Sequence, residues 1–287
     1  MRMRRTTLPE EMISEILSLL PVKPLLRFQC VSRPWFALIN DPYVMKLHRT
    51  IIVAGTSVHN DFYLVNFSSD DRLGEAVNIK QPLEHRPRVI VGAHIVGSCN
   101  GLVCISNSDH KVAIWNPLIR KHRKLPSPRF GYDIWAIGWG YATAFGYDRV
   151  NNDYKVIRIS RKLYQIELYS MRGNSWRKVK EEWPLTESSS ILGYPAFSNG
   201  AVHWMVTFVH RMVAIMKIVS FDLSIEKFRV HAPPDPFLYE GPAKLNVLRG
   251  CLCFCIHNQV WEMKVLRERL YIESQNINVQ KRPIYIG

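Results

Sequence analysis

The sequence lacks the motifs of the common hydrolases and nucleotide-dependent enzymes. Its 287 residues contain no HExxH, no GxSxG and no P-loop. Those motifs supply the metal ligands, the nucleophile or the phosphate cradle that such chemistry needs. The ten histidines offer no nucleophile–base pair, so we expect neither a catalytic site nor a cofactor.

Secretory and membrane signals are also missing. The opening residues, MRMRRTTLPEE, carry charges but have no apolar core of signal-peptide length behind them. The most apolar run, AVHWMVTFVHRMVAIMKIVSF, is interrupted by His203, His210, Arg211 and Lys217, which makes it a poor membrane span. We therefore expect a soluble cytoplasmic or nuclear protein, in which the six cysteines are reduced thiols.

Acidic residues are scarce relative to basic ones. The chain has 24 Asp and Glu against 38 Lys and Arg, which gives a formal net charge of +14 and a pI near 9.6. A basic chain favours an acidic partner, such as nucleic acid, an anionic membrane or an acidic protein. Charge alone does not choose among these three.

The first fifty residues have the spacing of short amphipathic helices. Ile13, Ile16, Leu17 and Leu20 fall at positions i, i+3, i+4 and i+7, which puts them on one helix face. Pro21 then ends this first helix. The pattern predicts a helix with one apolar stripe.

Two further helices are predicted before residue 48. Pro24 fits the first turn of a helix that carries Leu25, Leu26 and Cys30, and Ser32 has the side chain of an N-cap for a third. Three short helices in fewer than about fifty residues cannot bury this apolar surface among themselves. The surface therefore packs either on the rest of the chain or on another protein.

The ordered positions of this segment resemble an F-box over residues 6–48. The matching letters are LP at 8–9, IL at 16–17, LPV at 20–22, LLRF at 25–28, CVS at 30–32 and W at 35. The resemblance implies a three-helix module that binds the Skp-type adaptor of a cullin-RING ubiquitin ligase, with an apolar helix face in an apolar groove. The residues expected to contact the adaptor are Leu8, Pro9, Ile13, Ile16, Leu17, Leu20, Pro21, Val22, Leu25, Leu26, Cys30, Val31 and Trp35.

From about residue 50 onward the pattern changes to short β-rich runs bounded by turn residues. The sequence NGLV at 100–103 recurs as NGAV at 199–202 and loosely as RGCL at 249–252, and each is followed by a strand with an aromatic residue. A spacing of roughly 50 residues matches a four-stranded propeller blade. The glycines would reverse the hairpins, and the aromatics would fill the wedge between sheets. A β-sandwich is the alternative fold.

The same half of the chain resembles the plant F-box-associated domain, which is kelch-like. The matching segments are GSCNGLVCIS, IWNPLIRKHRKLP, FGYDRVNNDYKVIRI, IELYSMRGNSWRKV and FSNGAVHWM, within residues 90–263. The resemblance implies a β-domain that recruits the protein to be ubiquitinated. Pollen S-locus F-box proteins and regulators of plant immune receptors share this architecture, and the sequence assigns the chain to neither group.

The predicted organisation is α+β and multidomain. A three-helix F-box at 6–48 is followed by a linker and first β segment at 49–89, an all-β, propeller-like domain at 90–263 and a divergent tail at 264–287. After Lys264 the pattern shows no further blade. Only three or four blades can be identified where the length would hold roughly five. We therefore expect an incomplete propeller with exposed strand edges.

Three cysteines alternate along one predicted strand, at Cys251, Cys253 and Cys255. Side chains at i, i+2 and i+4 share a face but lie about 6.6 Å apart at each step. That separation is too long for three sulfurs to converge on one zinc ion. We predict small apolar core residues and no metal site.

Two other segments have a polar or aromatic bias. The basic tract Arg120–Lys124 is predicted to be a solvated loop rather than a nuclear-import or phosphate-binding element. Asp148 and Asp153 flank a turn, whose chemistry accounts for both.

The aromatic residues Tyr132, Trp135, Trp139 and Tyr141 lie among glycines. No Lys or Arg separates them, so they make a weak nucleic-acid site. They either pack within the domain or form a recognition loop that contacts the target.

The predicted function is a non-catalytic, substrate-recruiting subunit of an SCF-type ligase. Its partners would be a Skp-type adaptor, the cullin-RING ligase reached through that adaptor, and an unidentified target protein, with no membrane or nucleic-acid partner. One alternative is a basic nucleic-acid-binding β-domain, which the +14 charge supports. Another is a propeller enzyme or sugar-binding module, which would need convergent carboxylates or a metal cluster.

Overall fold

The chain divides into two compact units, each considered by itself. The computed structural model describes residues 9–20, 27–28, 30–39, 50–54, 61–67, 73–83, 92–107, 111–127, 141–160, 165–185, 189–210, 213–232, 243–248, 250–256, 259–266 and 269–273. One unit comprises Met1–Thr56, Asp61–Gln81 and Asn116–Lys121, and the other comprises Ser57–Asn60, Pro82–Trp115 and His122–Gly287.

Helix α1, Glu10–Leu19, lies where the apolar spacing predicted a helix, and Pro9 immediately precedes it. The carbonyl of Pro9 accepts the N–H of Ile13 at 3.1 Å, which closes the first turn. The helix ends before Leu20, whose extended backbone (φ −78°, ψ 143°) is the conformation that a following proline favours.

Helix α2, Arg33–Ile39, begins after the predicted N-cap. The Oγ atom of Ser32 accepts the N–H of Trp35 at 3.3 Å, and its carbonyl accepts the N–H of Phe36 at 2.9 Å. The first bond satisfies one of the donors that the start of a helix leaves open, and the second is the first backbone hydrogen bond of the helix itself. The helix predicted to start at Pro24 lies mostly outside the residues that the structure describes.

A three-stranded antiparallel sheet follows the helices. Its strands are β1 (Thr50–Ala54), β2 (Phe62–Phe67) and β3 (Leu73–Ile79), in the spatial order β1-β2-β3. All three fall in the segment that the sequence suggested as a linker and first β segment.

The second unit contains four antiparallel sheets of four strands each, except that Asn116 and Lys121 of the first of these sheets are grouped with the first unit. Each sheet keeps its strands in chain order. The first sheet contains β4 (His94–Cys99), β5 (Leu102–Ser106), β6 (Val112–Asn116) and β7 (Lys121–Lys124). The second contains β8 (Tyr141–Asp148), β9 (Asp153–Ser160), β10 (Ile166–Ser170) and β11 (Ser175–Lys178). The third contains β12 (Ser190–Ser198), β13 (Ala201–His210), β14 (Val213–Asp222) and β15 (Phe228–His231). The fourth contains β16 (Ala243–Leu248), β17 (Cys251–Ile256), β18 (Gln259–Leu266) and β19 (Arg269–Glu273).

The hairpins of these sheets close with left-handed residues. Between first and second strands, Gly101, Gly200 and Gly250 have φ values of 74°, 77° and 81°, which confirms the glycine repeat seen in the sequence. Neighbouring strands alternate in direction, so the turn between first and second strands lies at the same end as the turn between third and fourth. We call this the turn end of a sheet.

Consecutive sheets bury apolar side chains between them, as expected for propeller blades. The first strands of neighbouring sheets contact one another, β4 with β8, β8 with β12 and β12 with β16. Tyr169 and Trp176 of the second sheet pack with Val96 and Ile114 of the first. Aromatic residues therefore fill the wedge between these sheets, as predicted, and each sheet is positioned by its neighbour.

The predicted domain end at residue 263 is not where the last sheet ends. Strand β18 continues to Leu266, and β19, in the segment interpreted as a divergent tail, pairs with it. Met263 opposes Ile272 in this pairing. The tail therefore supplies the fourth strand of the last sheet, and the described four-stranded sheets number four, within the three or four blades identified in the sequence.

A buried ion pair joins the second and third four-stranded sheets. Lys155 Nζ lies 2.8 Å from Asp148 Oδ2, and the two side chains are only 7% and 0% exposed. The ammonium also donates to the carbonyl of Leu223 at 2.6 Å and to Glu226 at 3.3 Å. Asp148 in turn accepts the hydroxyl of Ser224 at 2.7 Å. Groups from both sheets therefore surround the Lys155–Asp148 pair, and these contacts hold the turn ends of the two sheets together.

Asp148 also holds its own turn, as the sequence predicted. Its Oδ1 accepts the N–H groups of Val150 and Asn151, each at 3.0 Å. Burial by itself would raise the pKa of Asp148. The hydrogen bonds from Lys155, Asn151 and Ser224 outweigh burial and hold that pKa well below its usual range.

A buried histidine lies on β13 of the third sheet. His203 is 4% exposed, its Nε2 lies 3.4 Å from the carbonyl of Ser198, and its Nδ1 has no hydrogen-bond partner within the described part of the chain. Burial lowers the pKa of His203 to about 4. The folded protein therefore holds this imidazole neutral.

Folding stability is expected to fall by about 2 kcal/mol between pH 7 and pH 5 through His203 alone. The folded pKa lies below the unfolded one, so the unfolded chain binds the proton more tightly. The stabilising difference is complete above about pH 6.5 and is lost as the pH falls towards 4. Urea unfolding of wild type and His203→Gln at both pH values measures it, and the variant should lose less stability on acidification. The same pH dependence in both proteins would exclude this role.

The cysteines of β17 are partly in the core. Cys253 is 1% exposed, whereas Cys251 and Cys255 are half-buried. Burial raises the pKa of the Cys255 thiol, which keeps it protonated. All six cysteines of the chain are free thiols.

Candidate functional site

The helical module has a small core of its own. Leu17 and Ile39 are 0% and 1% exposed. Partly buried residues that pack against them are Ile13, Leu20, Phe28, Trp35 and Leu38. The rings of Phe28 and Trp35 meet edge to face, with centroids 5.4 Å apart. This core holds α1 and α2 together.

Other apolar side chains of the module point away from that core. Ile16 is 47% exposed and Val31 is 59% exposed. Met12, one turn before Ile16 on α1, is 50% exposed, and Phe36 on α2 is 54% exposed. Large apolar side chains in this number on so small a module are typical of an interaction surface. We call these four residues the exposed apolar set.

The structure separates the predicted adaptor contacts into two groups. Ile16 and Val31 belong to the exposed apolar set, and Pro9 and Cys30 are also exposed. Leu17 is fully buried and belongs to the module's core, so its contact with an adaptor stays a prediction. Core residues that keep part of their surface accessible are Ile13, Leu20 and Trp35. The remaining predicted contacts, Leu8, Pro21, Val22, Leu25 and Leu26, lie outside the described residues.

Two members of the exposed apolar set were missed in the sequence. Met12 lies four residues before Ile16, so the i, i+4 spacing was available as a signal for a second stripe on α1. Phe36 follows directly after Trp35, and only the packing of α2 shows which of the two aromatic residues faces outward.

The predicted target-binding aromatics are only partly described. Tyr132, Trp135 and Trp139 lie outside the described residues, and Tyr141 begins β8 with only its backbone described. Further along the same strand, Phe145 is 1% exposed and belongs to the core between sheets. The recognition loop stays a prediction.

The basic tract is a strand and not the predicted loop. Lys121–Lys124 forms β7, the fourth strand of the first four-stranded sheet, and all of its side chains are exposed. Pairing uses backbone groups only, so an outer strand accommodates charged side chains on both faces. The predicted solvation of this tract is confirmed, but its secondary structure differs.

Within the described ranges, none of the helices is long and apolar enough to cross a membrane. Those same ranges hold no group of three or more His, Cys, Asp or Glu side chains arranged to hold a metal ion.

Two family models match the chain, one over the helical module and one over the β-sheets that follow it. A model described as F-box-like matches residues 6–48, and a model described as F-box associated beta propeller domain matches residues 55–278. An F-box-like module followed by a propeller domain defines an F-box protein. The chain belongs to the F-box-associated β-propeller family.

Similar proteins occur in Arabidopsis thaliana. The chain is similar to the F-box protein CPR1, at 29% identity over 90% of this chain and 70% of that protein. It is also similar to an F-box/kelch-repeat protein, at 30% identity over 98% of this chain and 83% of that protein. Among solved structures, a hydrazine synthase of Kuenenia stuttgartiensis overlaps 75% of this chain and 61% of its own, with a TM-score of 0.45 and 8% identity.

Proposed function

We propose that the protein is the substrate-recognition subunit of an SCF-type cullin-RING ubiquitin ligase. The exposed apolar set on an F-box-like module is the observation that carries this proposal. Met12, Ile16, Val31 and Phe36 would cost free energy if left in water, and an apolar groove on a Skp-type adaptor would cover them.

In this proposal the propeller domain holds the target protein. The ligase accelerates ubiquitin transfer by holding the target close to the transfer machinery, so this subunit needs no catalytic group of its own. The four-stranded sheets are packed on one another through buried side chains. A rigid platform of this kind suits a subunit that must present its target in one orientation.

We further propose a cytoplasmic or nuclear location. Six free thiols suit a reducing compartment, because an oxidising one favours disulfides.

The adaptor test uses the full chain and its F-box variant. Leu8→Ala with Pro9→Ala is expected to abolish pull-down of a purified Skp-type adaptor, because the Leu-Pro pair is part of the matched F-box. Circular dichroism should show the β-domain and the helices unchanged, so the loss cannot be assigned to unfolding of either. Pull-down at the wild-type level would refute the docking role.

Target candidates follow from affinity purification and mass spectrometry. Partners that are lost together with the adaptor in the Leu8→Ala, Pro9→Ala variant belong to the ligase. Partners that are retained bind elsewhere on the chain and are candidates for the recruited protein.

A further inference from the structure

Three exposed arginines lie along one seam, at the turn ends of the first and second four-stranded sheets. They are Arg123 on β7, Arg149 in the β8–β9 turn and Arg172 in the β10–β11 turn. Arg123 Nη1 donates to the carbonyl of Met171 at 3.0 Å, directly beside Arg172. Arg172 Nη1 lies 3.4 Å from the carbonyl of Asn151, in the turn that carries Arg149. We call these three residues the turn-end arginines.

Arg149 also acts on the first sheet. Burial raises the pKa of Cys99, at the end of β4, to about 11, and the positive charge of Arg149 opposes this rise. An electrostatic effect of this kind requires the two groups to be near each other. Arg149 is therefore near the end of β4, the first strand of the first sheet.

Comparison of the repeated sheets shows that Arg123 has an equivalent in the second sheet. The left-handed residues Arg120, Asn174 and Glu226 occupy the same position in the turns before β7, β11 and β15. Three residues after that position, the first two sheets both have an arginine, Arg123 and Arg177. The two arginines are thus equivalent in the fold.

Their partners in the following sheet differ. Arg177 forms an ion pair with Glu226, which is the turn residue of the next sheet. For Arg123 the turn residue of the next sheet is Asn174, which carries no charge. Arg123 contacts a backbone carbonyl instead and has no carboxylate partner among the described residues. Its positive charge can therefore interact with a carboxylate of another molecule.

Nearby carboxylates are already engaged. Asp148 is bound to the buried ammonium of Lys155. Asp153 accepts the backbone N–H of Arg172 at 2.8 Å, so it fixes that turn and not the guanidinium. Glu226 is the glutamate of the ion pair at the next seam. Within the described ranges, no carboxylate at this seam neutralises the turn-end arginines.

The turns that carry these arginines are fixed before any partner arrives. Asp148 holds the β8–β9 turn through the N–H groups of Val150 and Asn151. Ser170 Oγ accepts the N–H of Gly173 at 2.9 Å and closes the β10–β11 turn. A partner would therefore not have to order the backbone, which reduces the entropic cost of binding.

We infer that the turn-end arginines bind a carboxylate-rich segment of the recruited protein. The inference rests on the proposed function, because it names the chemistry of the target that the propeller domain would hold. The Arg177–Glu226 pair shows that an arginine at this position of the repeat accepts a carboxylate. Arginine binds carboxylates with paired, charge-assisted hydrogen bonds.

Single-stranded nucleic acid is a poorer fit to this surface. It needs aromatic faces on which bases can stack. Tyr147 and Tyr154, the aromatic residues beside these turns, pack on each other with ring centroids 4.8 Å apart. The hydroxyl of Tyr147 is bound to Asn152. Their rings are committed to the fold.

The test measures binding of full-length protein to three labelled probes by fluorescence anisotropy at low ionic strength. The probes are a peptide with a run of glutamates, the same peptide with glutamines in their place, and a single-stranded RNA of equal charge. We expect the glutamate peptide to bind more tightly than the other two. Tighter binding of RNA would overturn the inference and make this a nucleic-acid surface.

Matched charge reversals locate the site. Arg149→Glu with Arg172→Glu should weaken glutamate-peptide binding by at least about tenfold, because two attractive contacts become repulsive. Lys111→Glu with Lys244→Glu changes the net charge equally, at exposed positions away from the turn ends, and should change binding by less than about twofold. Equal losses in the two variants would mean that only the net charge acts, and the inference would fall.

Adaptor pull-down on the same preparations separates this inference from the proposed function. If the adaptor binds and the glutamate peptide does not, the inference alone fails. If the peptide binds as expected and the adaptor does not, the ligase assignment fails and the acidic-segment site stands on its own measurement.

Discussion

Replacing Ile16 with aspartate is expected to weaken binding of a Skp-type adaptor by at least about 30-fold, or about 2 kcal/mol, the scale of an interface hot spot. Ile16 is 47% exposed on α1, so the free protein tolerates a charge there. In the complex the carboxylate would have to lose its water against an apolar groove. Isothermal titration calorimetry of the full chain with purified adaptor measures the change.

Two controls make the Ile16 result specific. Val150→Asp introduces the same charge at an apolar side chain that is 79% exposed on a propeller turn, and it should leave adaptor affinity unchanged. Leu17→Ala empties part of the buried core next to Ile16 and should destabilise the module by about 2–5 kcal/mol. Wild-type affinity in Ile16→Asp, with the helices intact by circular dichroism, would remove α1 from the interface.

Replacing Asp148 with alanine is expected to destabilise the propeller domain by about 3–5 kcal/mol, because it leaves a buried ammonium without its partner. Lys155 Nζ is 2.8 Å from this carboxylate, and neither side chain is accessible enough for water to compensate. Lys155→Met should have a similar cost for the same reason. Urea unfolding monitored by tryptophan fluorescence measures both.

An exposed ion pair of the same domain provides the comparison. Lys227 and Glu181 lie 2.8 Å apart with side chains 61% and 28% exposed. Glu181→Ala should therefore cost no more than about 1 kcal/mol. A loss of stability as large as that of Asp148→Ala would mean that burial does not determine how much an ion pair contributes. The double variant Asp148→Leu, Lys155→Met should recover much of the stability lost in either single variant, since no unpaired charge remains.

The contribution of Asp148 has a definite pH dependence. Its pKa is lower in the folded protein than in the unfolded chain, so it stabilises the fold above about pH 4. The stabilisation is lost as the pH falls below that value. His203 acts at higher pH, between about 6.5 and 4, so acidification should remove the two contributions in sequence.

The sequence was enough to predict α1 and its C-terminal end, because the apolar spacing and Pro21 are local features. It was not enough to distinguish Ile16 from Leu17. The two residues are adjacent in the stripe, and only the packing of Ile39 against Leu17 decides which is buried. Local patterns give the element, and tertiary contacts give the role of each side chain.

Two strands were missed in the sequence. Strand β7, Lys121–Lys124, has no apolar alternation, because an outer strand held by backbone pairing to one neighbour accommodates charged side chains. Strand β19, Arg269–Glu273, has Leu270 and Ile272 at alternate positions, but only its pairing with β18 shows that this short segment belongs to the last sheet.

The turn-end arginines were beyond sequence reasoning for a different reason. Arg123 and Arg172 are 49 residues apart, and their closeness depends on the packing of two sheets, with Arg123 bound beside Arg172 at the Met171 carbonyl. The equivalence of Arg123 and Arg177 also needed the turn conformations to fix the alignment of the repeats. Sequence motifs contain neither the packing of the two sheets nor the turn conformations.

Arg177 has the carboxylate of Glu226 as its partner, whereas the equivalent partner position for Arg123 is occupied by Asn174. This difference has an evolutionary consequence. A repeat protein can gain a new specificity by deleting an internal counter-ion, with no insertion and no lengthened loop. One codon change that neutralises or restores a turn carboxylate switches an arginine between holding the architecture and recognising something foreign. The strands themselves would stay the same through such a change.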